Sequence, residues 1–481
     1  MENQPRLSEA KRKLLELQRR QELKPEPAAT AASEVNHRRE NPAPLSLAQE
    51  QVWRLDQTAG KLTPLHNESI TIHRHGVCDV AVLERSLAEV VRRHEIWRTT
   101  FEIQSGFEIQ SGEAQSGRPV QIVHPAPKTF PLVASDLRSL PRGDREKAAL
   151  DLANEDARLR FDLKQGPLVR ARLVTLDDFE HRLYVTAHQS IVDGITVFDI
   201  FPYELTTIYE SFAAGKASPL AELQMQYADF ASWQRRALAS HELERQWSYW
   251  EKQLAGNLPA LQWPNRGKRP QQQTYRGAMR AFTFPRQLSE SLKEMGRREG
   301  ATLFMILLAG LAKLLHGYTG QEDIVIGTLA PSGRKHTEFQ RLLGYFLNPV
   351  ALRAELRGNP SFLALLRQMR EVTLGAISND DVPLDLIAER IHLKPDPSRH
   401  PFFTIALSVA PEVARLPPGW SMTYMDVESG GARWDLYLEM SDRAEGLLGR
   451  AQYNPDLFSE AEMAQTIDDF HRLLENISAP R

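Results

Sequence analysis

The stretch Tyr184-Val-Thr-Ala-His-Gln-Ser-Ile-Val-Asp-Gly194 decides how this chain is read. It has the shape of a strand, a turn carrying Asp-Gly, and the start of a helix. An exposed turn after a strand is where reactive side chains are commonly displayed on α/β scaffolds. A lone histidine at a strand end is more often a satisfied structural residue than a catalyst, so His188 by itself assigns no chemistry.

Outward from that turn the pattern is regular. Glu146 to Leu159 reads as a helix, Leu168 to Val174 and Arg182 to Ala187 as strands, and Ile195 to Ala213 as a helix. Further upstream, a strand at Ser69 to His73 leads into an amphipathic helix, Val80 to His94, with Val82, Leu83, Leu87, Val90 and Val91 on one stripe. Phe101–Gly106 reads FEIQSG and Phe107–Gly112 repeats it letter for letter, which fits a duplicated hairpin tip between two strands. Downstream, a Trp- and Gln-rich helical stretch from Leu220 to Pro264 runs into NRGKRPQQQ, and the boundary between two lobes belongs there.

The second half repeats the grammar. Strands are expected at Ala278 to Phe284, Asp323 to Thr328, Thr404 to Val409, Ser421 to Val427 and Trp434 to Met440. Helices are expected at Leu288 to Gly300, Leu303 to Leu315, Phe362 to Ile377 and Glu460 to Ile477. The division that follows is 1–43 for an N-terminal amphipathic helix (Arg6 to Leu23) and a linker, 44–225 for a first lobe, 226–270 for a helical connector and 271–481 for a second lobe. The N-terminal helix serves either as a connector or as a docking element for a neighbouring module.

Composition excludes several classes. The 481 residues are 42% hydrophobic and carry 59 Lys and Arg against 62 Asp and Glu, a net charge of −3 that argues against nucleic acid or an anionic membrane as partner. One cysteine, Cys78, excludes an internal disulfide framework and fits a cytoplasmic protein. No stretch approaches the roughly 18–20 apolar residues of a membrane span, and Arg6 to Leu23 lacks the apolar centre of a signal peptide. There is no P-loop, G-x-G-x-x-G, H-E-x-x-H or G-x-S-x-G signature. His73, His75 and Cys78 lack a second ligand group at metal spacing and read as structural.

The turn resembles the His-His-x-x-x-Asp-Gly signature of nonribosomal peptide synthetase condensation domains, with one change. His188, Asp193 and Gly194 match, and Gln189 stands where the second histidine is expected. Further stretches resemble the other motifs of that family, in order: Ser46-Leu-Ala-Gln-Glu-Gln-Val-Trp53, Arg93-His-Glu-Ile-Trp-Arg-Thr-Thr-Phe101, Tyr227-Ala-Asp-Phe-Ala-Ser-Trp233, Gly344-Tyr-Phe-Leu-Asn348, Asp381-Val-Pro383 and Ser398-Arg-His-Pro-Phe402. Tyr453-Asn-Pro-Asp-Leu-Phe458 fits the family's C-terminal end.

The resemblance implies an α/β fold of two chloramphenicol acetyltransferase-like α+β lobes, set as a V-shaped pseudo-dimer around a central tunnel. Donor and acceptor carrier proteins would present an acyl thioester and an amine from opposite faces, both on phosphopantetheine arms, so the chain would bind no cofactor and no metal of its own. Neighbouring synthetase modules are the expected context, and the N-terminal linker and the end just past the last helix fit a piece of a longer assembly line. Residue 189 would face the reacting centre and His188 would point away. Asp193 would be a buried carboxylate paired with a guanidinium, Arg334 first and Arg98 second, with Asn348 among the supporting residues and Gly194 permitting a tight turn. A glutamine amide does not titrate. Either Gln189 positions the reactants without deprotonating them, or the domain has lost condensation and serves as a carrier gate or a platform for a tailoring enzyme. The cyclising relatives carry a D-x-x-x-x-D signature in place of the two histidines; the turn at 188–194 lacks it, which argues against oxazoline or thiazoline formation.

Overall fold

A computed structural model describes residues 41–58, 63–104, 117–239, 243–256, 258–263, 269–411, 413–423 and 425–479. The N-terminal helix expected at Arg6 to Leu23, its linker and the second FEIQSG copy lie outside the described residues.

The first half contains β1 (Ala43–Pro44), α1 (Leu47–Thr58), β2 (Asn67–His75), α2 (Val80–Arg93), β3 (Thr99–Gln104), β4 (Arg118–Val123), β5 (Leu132–Asp136), α3 (Arg142–Arg158), β6 (Val169–Asp177), β7 (Glu180–His188) and α4 (Phe201–Ala213). Then come α5 (Tyr227–Ala239) and α6 (Glu244–Gln253). The second half contains β8 (Ala278–Pro285), α7 (Arg286–Glu299), α8 (Leu303–Thr319), β9 (Asp323–Ala330), β10 (Asn348–Glu355), α9 (Phe362–Ile377), α10 (Leu384–Arg390), β11 (Ile405–Val409), β12 (Trp420–Thr423), β13 (Leu436–Arg443), β14 (Gly446–Tyr453) and α11 (Glu460–Ser478).

Local chemistry sets the element ends. Asp79 caps α2 by accepting from Val82 N–H at 3.1 Å, and the helix buries Leu83, Leu87, Val90 and Val91 as one stripe. Gly300 ends α7 in the left-handed region at φ 64°. Ser459 and Glu462 form a capping box at the start of α11. α8 is apolar on almost every side and accordingly lies inside the second core. No single helix among the described residues is long and apolar enough to cross a membrane.

The strands form three sheets: β12-β2-β7-β6-β5, β10-β9-β11-β13-β14-β8 and the small β1-β4-β3. In the first, β2 pairs antiparallel with β7, Asn67 opposite His188. In the second, β13 and β14 place Glu439 directly opposite Arg450. Each large sheet buries one face under its own helices, giving one core around Ile70, Leu83 and Phe201 and another around Leu308, Ile326 and Leu436. This is the mixed α/β architecture expected of the chain.

The lobes are not cut as the sequence suggests. β12 comes from 271–481 yet is an edge strand of the first lobe's sheet, with Trp420 opposite Arg74. His73 and His75 reach it through Thr423 Oγ1 at 2.8 Å and Ser421 Oγ at 3.1 Å. The connector 226–270 divides as well. Tyr227 and Phe230 pack into the first core, whereas Trp250 and Leu254 pack into the second. Apolar residues go where an open sheet edge or core face can bury them, whatever their place in the chain.

Candidate active site

β7 ends with its backbone held on both sides: His188 N–H donates to Leu168 O at 2.9 Å, and Gln189 N–H donates to His66 O at 2.7 Å. Neighbouring side chains leaving a strand face opposite ways, and these two do. The His188 ring is buried near His66 and Phe161, at centroid distances of 5.6 and 6.2 Å. Its Nδ1 lies 2.8 Å from Ser190 Oγ. Its Nε2 faces Asp56 Oδ1 at 3.7 Å. Gln189 instead lines a cavity of about 220 Å³ between the lobes.

Asp193 closes the turn. Its Oδ1 accepts from Thr196 N–H at 2.8 Å and from Arg334 Nη2 at 2.7 Å. Its Oδ2 accepts from Arg334 Nε at 3.0 Å and from Phe346 N–H at 3.3 Å. Arg334 also donates to Leu342 O and Gln340 O at 2.9 and 3.1 Å, and lies 4.4 Å from the centre of the Phe346 ring. A buried ion pair is tolerable only when its remaining donors and acceptors are matched like this. Arg98, the second candidate, is not a partner of Asp193: it is drawn to the His124 carbonyl and to Glu95 on its own short turn.

The other quoted motifs meet around the same turn. Gln49 donates to Ser190 O at 3.1 Å. Ser46 Oγ bonds the Tyr227 hydroxyl at 2.8 Å, and Tyr227 also donates to Tyr345 O. His94 joins Glu204 at 2.9 Å and accepts from Leu343 N–H at 3.2 Å. Asn348 turns its amide elsewhere: it donates to Asp380 O and Val382 O, at 2.7 and 2.9 Å, and so fixes the Asp381-Val-Pro383 loop. The tight-turn role expected of Gly194 does not hold. Its φ lies outside the left-handed region, and an added Cβ would meet only Phe198 and Pro411 at 3.7 Å. Gly194 lines the cavity, where a side chain would take up space.

The cavity also exposes residues that no sequence motif signalled. Glu68 on β2, Ser408 on β11, Tyr437 and Glu439 on β13 and Arg450 on β14 line it. Arg450 bonds Glu439 at 2.8 Å and lies 3.7 Å from Glu68. Two carboxylates thus share one guanidinium; burial, more than the neighbouring charges, pushes the Glu68 carboxyl up from its usual value. Their signal is cross-strand register, which becomes legible only once pairing is known.

Asp56, His66 and His188 form a second cluster behind the turn, with one potential ligand atom from each within 4.8 Å of the others. Burial, aided by His188 and Arg433 and opposed by Asp56, lowers His66 to about 4, so its imidazole is neutral at pH 7. Burial pushes the Cys78 thiol up to about 11, which makes it a poor nucleophile at neutral pH.

Two α/β lobes, a motif-bearing turn between them and a carboxylate locked by a guanidinium of the other half define a condensation-type fold. Residues 39–480 match the family described as Condensation domain, and the chain belongs to it. It is 37% identical over 451 residues to one of the linear gramicidin synthase proteins of Brevibacillus parabrevis, covering 92% of this chain and 6% of that protein. It is 32% identical over 446 residues to phosphinothricin tripeptide synthetase PhsC of Streptomyces viridochromogenes, covering 92% of this chain and 39% of that one. The chain thus spans only part of the relatives it matches. Among solved structures it is similar to the X-domain from teicoplanin biosynthesis, at TM-score 0.78 and 28% identity over 92% of this chain and 96% of that one. That X-domain has also been solved as a complex with OxyB, similar at TM-score 0.75 and 29% identity, covering 92% of this chain and 94% of that one. The first condensation domain of the calcium-dependent antibiotic synthetase, in complex with a substrate analogue, shares the fold at TM-score 0.76 and 21% identity, over 91% and 97% of the two chains.

Proposed function

We propose that this chain is the condensation unit of a nonribosomal peptide assembly line, joining a carrier-bound acyl thioester to a carrier-bound amine. The carrying observation is the placement of Gln189 in a cavity lined by both lobes, on a turn that Asp193 and Arg334 brace from behind. The amine nitrogen attacks the thioester carbonyl and a tetrahedral oxyanion forms. The C–S bond then breaks, and the released thiolate takes up the proton lost by the amine. The Gln189 amide has an N–H for the oxyanion and an oxygen for the amine hydrogen, but it accepts no proton.

Magnitudes allow this. A general base contributes ~10²–10⁴-fold. Holding two reactants together supplies effective molarities of ~10⁵–10⁸ M. An α-amine titrates near ~7.7–8.0, so part of it is neutral at pH 7 without help. Turnover is therefore slow but not abolished. The substrates bring their own phosphopantetheine arms, and the partners are donor and acceptor carriers with their neighbouring modules.

A second reading, a recruitment platform for a tailoring enzyme, is favoured by the likeness to an X-domain that has been solved in complex with OxyB. One experiment separates the two: mix the protein with loaded donor and acceptor carriers and look for the condensed thioester by mass spectrometry. Product above background supports condensation, and Gln189→His then raises turnover by about 10²-fold, toward the lower end of general-base catalysis. No product from either protein, with a carrier or tailoring enzyme still bound, supports the platform.

A further inference from the structure

We propose that Asp56, His66 and His188 bind a divalent first-row metal ion, zinc foremost, behind the signature turn. This site is separate from the cavity in which Gln189 lies, and it does not depend on either reading of the domain's function.

The donors converge from three elements. Asp56 comes from the last turn of α1, His66 from just before β2, and His188 from the end of β7. Asp56 Oδ1 lies 3.7 Å from His188 Nε2 and 3.9 Å from His66 Nδ1. Those gaps are too long for hydrogen bonds. Donors around a tetrahedral ion with ~2.0–2.1 Å bonds stand roughly 3.4 Å apart, so a small inward movement of each closes the set.

The nitrogens are otherwise unused. Both ring nitrogens of His66 and Nε2 of His188 are buried and have no hydrogen-bond partner among the described residues. The two imidazole side chains are 1% and 3% exposed, and a buried polar atom left in this state costs stability. Two imidazoles and one carboxylate are a donor set that zinc takes in open sites, with a further position left for water. A second cavity of about 460 Å³, walled by Trp53, Asp56, Arg160 and Phe161 among others, adjoins the cluster on its Asp56 side.

Binding an ion through Nε2 of His188 requires the proton on Nδ1. Ser190 Oγ stands 2.8 Å away to accept it, while the Ser190 backbone N–H, which donates to that Nδ1 at 3.3 Å in the metal-free chain, must give up its bond. The ion would thereby fix His188 and, through the backbone, Gln189 beside it.

The test uses the full chain, stripped with a chelator and dialysed into non-coordinating buffer. Zinc chloride is titrated calorimetrically into this protein and into the His66→Phe and Asp56→Asn variants, with His75→Gln as a surface-histidine control. The expected result is one zinc per chain and a rise in melting temperature on saturation. Affinity should fall at least 10-fold in both cluster variants and stay unchanged in the control. Should a variant fail to fold, cobalt(II) added to the unaltered chain decides by its visible spectrum. An intense low-symmetry band supports the site, and the weak band of hexaaqua cobalt overturns it. Zinc binding that is equally tight in His66→Phe, or no stoichiometric binding by the unaltered chain, also overturns it.

Discussion

Two carboxylates, Asp193 buried and Asp56 half-buried, flank the strand end at His188, and they are treated in opposite ways. Asp193 receives bonds from Arg334 and from the backbone N–H groups of Thr196 and Phe346. Asp56 faces two imidazoles across gaps of 3.7 and 3.9 Å, and three of their nitrogens have no hydrogen-bond partner among the described residues. A fully matched carboxylate is a mechanical joint: it has no bonding capacity left and holds two lobes in register. An unmatched cluster costs stability but keeps coordination capacity. The side of the turn facing the lobe junction is thus built for rigidity, and the side facing α1 for binding.

The largest effect comes from breaking the joint. Arg334→Ala leaves Asp193 charged and buried, and we expect a loss of about 3–5 kcal/mol in denaturant unfolding. Adding Asp193→Asn to that variant should recover part of the loss, because the stranded charge disappears; a double mutant no better than the single would contradict this account. Next is Gly344→Ala, beside the joint. Gly344 has φ +149°, and an added Cβ would lie 2.1 Å from the Tyr227 ring, so a loss of about 1–3 kcal/mol is expected from the same unfolding curves.

Asp380 stands between the two extremes. It is fully buried and pairs with Lys335, and its Oδ2 has no hydrogen-bond partner among the described residues. Burial pushes its carboxyl up to about 7 despite that lysine. The folded chain therefore keeps this proton to higher pH than the unfolded chain, whose carboxyl titrates near ~3.9. The group adds no penalty below that value and subtracts stability progressively up to about pH 7. Asp380→Asn should flatten that fall, gaining about 1 kcal/mol at pH 7 over pH 5 in urea midpoints; an unchanged slope would count against it. The smallest effect is His66→Phe in metal-free protein, a change within about 1 kcal/mol, because it removes polar atoms that had no bonds to lose.

Much of this was legible in the sequence because it is local or motif-bound. The stripe on α2 and the bounds of α9 follow from periodicity, and the family resemblance implied an arginine as the mate of Asp193, Arg334 first. Arg98 failed because the sequence does not show which acceptors lie nearer, and here Glu95 and the His124 carbonyl do. Gly194 failed because its surroundings, Phe198 one helical turn on and Pro411 far along the chain, leave space that the sequence does not reveal. Glu68, Glu439 and Arg450 were missed for the same reason, since nothing local distinguishes an inward charge from an outward one until register is known. Helix formation from Ile195 was anticipated, but not the wider π-type turn at Thr196–Ile200 that precedes α4.

The crossing strand β12 has a consequence for synthesis on the ribosome. His75 and Ser421, which its arrival brings together, are 346 residues apart in the chain. At roughly 5–20 residues per second, the outer edge of β2 is made roughly 20–70 s before the strand that covers it. During that interval the nascent chain displays an unpaired row of backbone donors and acceptors, an invitation to adventitious pairing with a neighbouring polypeptide. Yield on expression should therefore respond to translation speed and to chaperone supply more sharply than the finished protein's stability would suggest.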